Sequence, residues 1–152
     1  MRLPRIYVET SVFGGCRDEE FKRESRELFK EIREGKFILV ISVTTLDELA
    51  RAPVEVRRVL EELPRAGLEM IEWSAEVEQL RDAYLAAGVV GPSGRSDAEH
   101  IAFATVAGVD LIVSWNFKHI VHFKKIRGYH AVNLLEGYPA IPIYSPLEVI
   151  ES

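Results

Sequence analysis

Four oxygen-bearing side chains in this sequence stand where strands end or helices begin. Glu9 directly follows the apolar run Ile6-Tyr7-Val8, Glu48 lies within about a turn of Phe37–Val43, and Asn116 follows Leu111–Trp115. In an open parallel sheet, ligands bind at the edge formed by the carboxyl ends of the strands, so all three are delivered to one edge. Asp97 joins them by geometry. The helix expected over Asp97–Ala107 must run antiparallel to the strand that follows it, and its length of roughly 16 Å returns its first residue to the same edge. Three carboxylates and one amide brought together repel one another unless a cation neutralises them, and an all-oxygen set suits Mg²⁺ or Mn²⁺ better than zinc.

Each position also has a purely structural reading. Asp97 follows Ser96 in the capping-box pattern Ser96-Asp97-Ala98-Glu99, where the helix dipole favours an acid whatever the function. Glu48 closes a second such pattern, Thr45-Leu46-Asp47-Glu48. With Leu46, Leu49 and Ala50 as the apolar face, Glu48 points away from the core and Asp47 serves as well as Glu48. Glu9 is different: an acid ending a first, central strand has no expected capping role and little access to solvent, and buried carboxylates are rare without partners.

The elements that position these residues follow from the hydrophobic pattern. Ile6–Val8 reads as a strand, then a loop through Gly14-Gly15, then a helix from about Asp18 to Glu34 stopped by Gly35. Phe37–Val43 is apolar without alternation, as in a strand covered on both faces of a parallel sheet. Thr44 and Thr45 are expected to cap a short helix through Arg51, Pro53 opens another toward Leu63, and Leu68–Trp73 reads as a strand. Val77, Leu80, Tyr84 and Leu85 form a helical stripe ending near Gly88, and Gly91–Gly94 reads as a plain loop. Leu111–Trp115 is the next strand, and Pro142 confines Ile141–Tyr144 to an edge. Strands alternating with helices make one α/β domain over residues 1–152, three layers deep, with a central, mainly parallel sheet.

Composition narrows the function. With 19 Lys and Arg against 24 Asp and Glu, the net charge is -5, which excludes coating of nucleic acid through overall positive charge. A single cysteine, Cys16, excludes a disulfide framework or Cys-rich zinc module and suits a reducing compartment. No apolar run approaches the roughly 20 residues of a membrane helix, and no secretory leader is visible, so the expected location is the cytoplasm. His119-Ile120-Val121-His122 lacks zincin spacing, and Phe13-Gly14-Gly15 is neither a Walker loop nor a dinucleotide fingerprint.

The sets Tyr7-Val8-Glu9-Thr10-Ser11-Val12, Asp47-Glu48-Leu49, Asp97-Ala98-Glu99-His100-Ile101-Ala102 with Ala104, and Leu111-Ile112-Val113-Ser114-Trp115-Asn116-Phe117 resemble the PIN-domain ribonucleases. The likeness spans nearly the whole chain, and the tail from Val132 to Ile150 resembles the VapC-type toxins of toxin–antitoxin pairs. The resemblance implies a Mg²⁺- or Mn²⁺-dependent endoribonuclease, with Glu9, Glu48 rather than Asp47, Asp97 and Asn116 as metal-binding and catalytic positions. It also implies an RNA substrate, a cognate antitoxin and a homodimer. This sequence departs from the family in carrying Glu9 and Asn116 where Asp is usual. Ser11 matches a family hydroxyl and ranks above Thr10 for orienting a carboxylate or bound water. The alternative is a non-catalytic PIN-like module that keeps the pocket to bind RNA or a protein. A receiver-like or phosphatase domain is disfavoured, since no second acid adjoins Glu9.

Phosphate contacts need positive charge. The acid-free stretch from Phe117 to His130 carries Lys118, Lys124, Lys125 and Arg127, with interleaved aromatics that either stack on bases or belong to the core. Arg17 and Arg95 lie in loops near Glu9 and Asp97 and are further candidates.

Overall fold

The computed structural model describes residues 2–151. In chain order its elements are β1 (Arg5–Val8), α1 (Thr10–Gly15), α2 (Lys22–Arg33), β2 (Ile38–Ser42), α3 (Val43–Ala50), α4 (Val54–Glu61), β3 (Leu68–Ile71) and α5 (Ala75–Ala86). A 3-10 turn at Pro92–Gly94 then leads into α6 (Arg95–Ala107), β4 (Leu111–Val113), α7 (Phe123–Leu135), β5 (Ile143–Tyr144) and α8 (Pro146–Val149). The five strands form one sheet in the order β3-β2-β1-β4-β5, every pair parallel.

Alternation along the strands divides the interior into two cores, as the two-fold period of extended chain requires. Ile6, Val8, Leu39, Ile41 and Val113 face one layer with Val12, Leu28, Phe29 and Val56 from α1, α2 and α4. Tyr7, Val40 and Ile112 face the other with Leu80, Tyr84, Ile101, Phe103 and Tyr129 from α5, α6 and α7. This is the three-layer α/β/α domain expected, with helices on both faces of the sheet.

β1 is the centre of the sheet, paired with β2 on one side and β4 on the other. The chain therefore leaves β1 in one direction and returns on its opposite flank, so the carboxyl end of β1 is the topological switch point where a crevice opens. Glu9 is the residue that occupies it.

Several boundaries differ from the sequence reading. The loop after β1 is the short helix α1, and Glu9 caps it by accepting from the Ser11 backbone N–H, so the expectation that Glu9 has no capping role is corrected. Ser42, not Thr44 or Thr45, caps α3, in a capping box with Thr45, which removes any capping role for Glu48. α6 begins at Arg95 behind Gly94, so Ser96 lies inside the first turn and caps nothing. β3 and β4 end two residues early, leaving Trp73 and Trp115 beyond the ladder. Pro142 sits just outside β5, where its carbonyl accepts from Ile112 N–H at 2.9 Å without its missing donor being needed.

Trp115 anchors the turn that carries Asn116. Its indole N–H donates to Ser25 Oγ at 2.7 Å and its ring stacks on Phe21 at 4.2 Å, while Gly15 lies against its edge. A Cβ at Gly15 would collide with Ser25 Oγ and approach Trp115 Nε1 to 2.8 Å. Gly15→Ala is therefore expected to lose about 1–3 kcal/mol of stability through overpacking, read as a lower midpoint in urea denaturation, with quenching of Trp115 fluorescence altered in the native baseline.

Candidate metal centre

Glu9 is only 6% exposed, a position where an unpaired carboxylate is costly. Both its oxygens are occupied: Oε2 accepts from Ser11 N–H at 3.0 Å, and Oε1 accepts from Ser11 Oγ at 2.6 Å and Ser114 Oγ at 2.5 Å. Ser11 Oγ in turn accepts from Trp115 N–H at 2.9 Å, and Ser114 Oγ from Asn116 N–H at 2.9 Å. The first acid is thus clamped between α1 and the segment leaving β4. Ser11 is brought to the carboxylate as the sequence suggested, and Ser114, which sequence reasoning missed, does the same work from the other side.

Glu48 projects from α3 into the same crevice, while Asp47 is exposed. The buried face of α3 is Thr44, Thr45 and Leu49, so the helix presents hydroxyls inward and Glu48 continues that side. Glu48 Oε1 accepts from Thr10 Oγ1 at 2.5 Å and lies 2.7 Å from His100 Nε2. His100 is fully buried on α6, and its Nδ1 is 2.7 Å from Tyr7 Oη, which also meets Ser42 Oγ at 2.7 Å. Burial pushes the Glu48 carboxyl up, but the hydrogen bond and charge of His100, with the Thr10 and Ser96 hydroxyls, outweigh it and hold it below the usual range. Burial likewise opposes a charged His100 ring, yet Tyr7, Glu48 and Glu9 together raise it well above the ordinary histidine value. His100 is the chief functional residue missed in the sequence. Its position one turn after Asp97, among Ala98, Ile101 and Ala102, was the available signal.

Asp97 stands in the first turn of α6. Burial and the nearby Glu9 charge raise its pKa, with Glu48 adding to the effect and the His119 and His100 rings opposing it. Asn116 Nδ2 donates to Asp97 Oδ1 at 3.0 Å, while Asn116 Oδ1 accepts from Lys118 N–H at 3.2 Å and His119 N–H at 2.9 Å. Two backbone donors fix the orientation of the amide, so Asn116 presents its NH₂ group, not its oxygen, to Asp97.

One ligand atom each from Glu9, Glu48 and His100 lie within 4.8 Å of one another. Both His100 nitrogens are engaged, which makes the ring an orienter of Glu48, while Asp97 stands outside this closest group and senses it through the charges of Glu9 and Glu48. The donor chemistry fits a hard divalent cation: the carboxylate oxygens of Glu9 and Glu48 are close together and partly withdrawn from water.

The expected basic segment divides. Lys118 and Lys124 are exposed, and Arg127 lies over the Phe123 ring at 5.5 Å. Lys125 instead donates to Val89 carbonyl at 2.8 Å, tying α7 to the end of α5. Of the segment's apolar residues Ile120 is core, whereas Phe117 is 47% and Phe123 72% exposed.

No protein-family model and no curated protein matches the chain. Solved structures do. A chain of the VapBC2 complex from Rickettsia felis, solved with a DNA fragment from its promoter, superposes with a TM-score of 0.56 at 12% identity, covering 93% of this chain and 98% of that one. The FitAcB structure from Neisseria gonorrhoeae gives a TM-score of 0.59 at 11% identity over 93% and 98% of the two chains. The domain has the PIN-like fold. A toxin–antitoxin complex from Klebsiella pneumoniae matches with a TM-score of 0.54 at 18% identity, over 75% of this chain and 88% of that one. Among the described residues of this PIN-like domain no helix is long and apolar enough to cross a membrane.

The raised Asp97 pKa has a sign that can be checked. An acid whose folded pKa lies above its unfolded value destabilises the fold above that range, and the penalty vanishes once the pH falls below the ordinary Asp value. Asp97→Asn keeps an oxygen to accept from Asn116 and removes the charge. In chelator-treated protein it is expected to melt higher than wild type at neutral pH, with the gap closing near about pH 3.5. A variant that melts lower at neutral pH would show that Asp97 is stabilised as an anion without metal.

Proposed function

We propose that this PIN-like domain is a Mg²⁺- or Mn²⁺-dependent endoribonuclease and the toxin of a toxin–antitoxin pair. The observation that carries the reading is the close approach of Glu9 and Glu48 at the switch point of the sheet, each held by its own hydroxyls or imidazole, with Asp97 electrostatically coupled to both and held by the Asn116 amide. The fold neighbours, of which the Klebsiella pneumoniae structure is a toxin–antitoxin complex, support the toxin assignment and a cognate antitoxin.

Glu9, Glu48 and Asp97 would hold the cation, which supplies neutralising charge at the scissile phosphate and lowers the pKa of an attacking water. Ser11 and Ser114 fix the position of the Glu9 carboxylate by donating to it. His100 and Thr10 aim Glu48, with Tyr7 steadying the ring from behind. Asn116 assists by holding Asp97 through its amide N–H and by shaping the turn that carries Lys118 and His119 toward the substrate. Lys118, Lys124 and Arg127 contribute positive charge for the RNA, and exposed Phe117, beside the Phe21–Trp115 stack, offers a ring to an unpaired base. Lys125, held by Val89, takes a lesser part. The exposed Phe123, Leu134 and Leu135 on α7 support a homodimer built on that helix.

The deciding experiment adds Mn²⁺ to chelator-stripped protein in the presence of end-labelled RNA. Metal-dependent cleavage is expected, and Asp97→Asn should lower its rate by roughly a hundredfold or more, since a metal-binding carboxylate carries about 3 kcal/mol of the barrier. RNA binding without cleavage at any metal concentration would instead favour a non-catalytic module.

Asn116→Asp tests the fourth position. The new carboxylate keeps the two backbone donors on one oxygen and sets the other against Asp97, so the metal-free variant is expected to melt below wild type. Added Mn²⁺ should raise its melting temperature by more than it raises the wild type's. Cleavage at limiting Mg²⁺ should rise about tenfold if one more carboxylate contributes about 1.4 kcal/mol to binding. An unchanged metal response would remove position 116 from the centre.

A further inference from the structure

A second charged feature lies outside the acidic crevice. Between α2 and α4 runs a groove of about 280 Å³ whose walls carry Arg17, Arg26, Arg33 and Arg58. Among the described residues none of these four forms an ion pair, although Glu55 and Glu62 stand on the α4 wall within the same lining. Arg26 is held in place by donating from Nε to Cys16 carbonyl at 2.9 Å. Arg26 and Arg33 are two helical turns apart on α2, about 10 Å along the groove. Four guanidinium groups without carboxylate partners, in a chain of net charge -5, are a local concentration of positive charge that the rest of the surface opposes.

The groove also has a direction. Its upper end is Cys16 and Arg17, which directly follow α1, the six-residue helix capped by Glu9. A helix of that length spans about 9 Å. Gly15 abuts Trp115, the neighbour of Ser114 and Asn116, so the segment leading into this end of the groove packs against the turn that holds Glu9, and α1 alone separates Glu9 from Cys16 and Arg17. A polyanion approaching three carboxylates is repelled unless positive charge lies next to them, and the guanidinium fork matches phosphate oxygens in geometry as well as charge.

We propose that the arginine groove between α2 and α4 is the path of the RNA backbone away from the cleavage site, its phosphates held by Arg17, Arg26, Arg33 and Arg58. The proposal rests on the ribonuclease reading and names where that substrate lies. Glu55 and Glu62, flanking Arg58 on the other wall, weaken the hold on the phosphates.

The test measures binding of a labelled single-stranded RNA by fluorescence anisotropy in chelator, at several salt concentrations, with a glutamate-rich peptide as the competing probe. Arg17→Gln, Arg33→Gln and Arg58→Gln are combined, sparing Arg26 because it supports the Cys16 carbonyl. The triple variant is expected to melt like wild type and to bind RNA at least about tenfold more weakly. Its salt dependence should be shallower by about two in logarithmic slope, at about 0.7 for each phosphate that is no longer neutralised. Glu55→Gln with Glu62→Gln should bind RNA more tightly than wild type. RNA affinity unchanged in the triple variant, with metal-dependent cleavage intact, would overturn the groove while leaving the ribonuclease reading in place. Loss of peptide binding alone, with RNA untouched, would overturn it in favour of an acidic protein segment. Absence of both RNA binding and cleavage in wild type would instead remove the reading on which the proposal rests.

Discussion

The cost of holding Glu9 as a buried carboxylate organises the structure around it. A charge withdrawn from water at the centre of a parallel sheet is tolerated only if its oxygens receive hydrogen bonds, and here three donors arrive from two directions. Two come from Ser11, which requires the chain to turn into a helix immediately after β1. The third comes from Ser114, which requires β4 to end beside β1 in the register that pairs Val8 with Val113. The helix, the strand register and the turn into Asn116 are therefore parts of one arrangement. Gly15 belongs to it too, because α1 can lie against Trp115 only where no side chain intervenes.

The remaining acids are treated by the same rule with different chemistry. Glu48 receives a hydroxyl and an imidazole, and the imidazole is backed by a tyrosine on β1 that faces the same core layer. Tyr7 points to the α5–α6–α7 side of β1 while Glu9 follows at the strand end, so one strand both supplies an acid and steadies the holder of another. Asp97 receives an amide and stays the least satisfied of the three, with its pKa displaced upward by burial and by its neighbours. On the metal-dependent reading proposed above, a cluster whose members are individually oriented, with Asp97 left under the charges of Glu9 and Glu48, is preorganised for a cation, since binding requires little rearrangement and relieves the strain on Asp97.

How much of this is legible in the sequence depends on whether the determining contacts are local. β1 and β2 are readable because burial on both faces leaves uninterrupted apolar runs, and Glu9, Asp97 and Asn116 are placed by their distance from such runs. Glu48 cannot be told from Asp47 by periodicity, because the inward face of α3 is made of Thr44 and Thr45, which read as polar. α1 is hidden by Gly14-Gly15, a loop signal overridden by a capping carboxylate. His100 is hidden because a histidine among small apolar residues reads as core, and its role depends on Tyr7 and Glu48, 93 and 52 positions away. The same distinction separates the two basic features. The run from Lys118 to Arg127 is conspicuous in sequence yet loses Lys125 to a backbone carbonyl, whereas the four groove arginines come from three separate segments and only the packing of α2 and α4 around one groove unites them.

Asn116 shows how the site balances occupied and empty states. A fourth carboxylate at this position would strengthen the hold on a divalent cation, but in the metal-free protein it would face Asp97 across the distance now bridged by an N–H donor. Asp97 already has a raised pKa with only Glu9 and Glu48 as like-charged neighbours. A further anion would raise it again, and part of the metal-binding energy would then be consumed in driving off the extra proton. The amide avoids that loss. It keeps the turn to Lys118 and His119 through its oxygen and stabilises ionised Asp97 through its nitrogen, so the three remaining carboxylates meet a cation with less prior repulsion. On the metal-dependent reading proposed above, the expected consequence is a centre that folds readily without metal and binds it more weakly than a four-acid site, with activity that follows the available cation concentration.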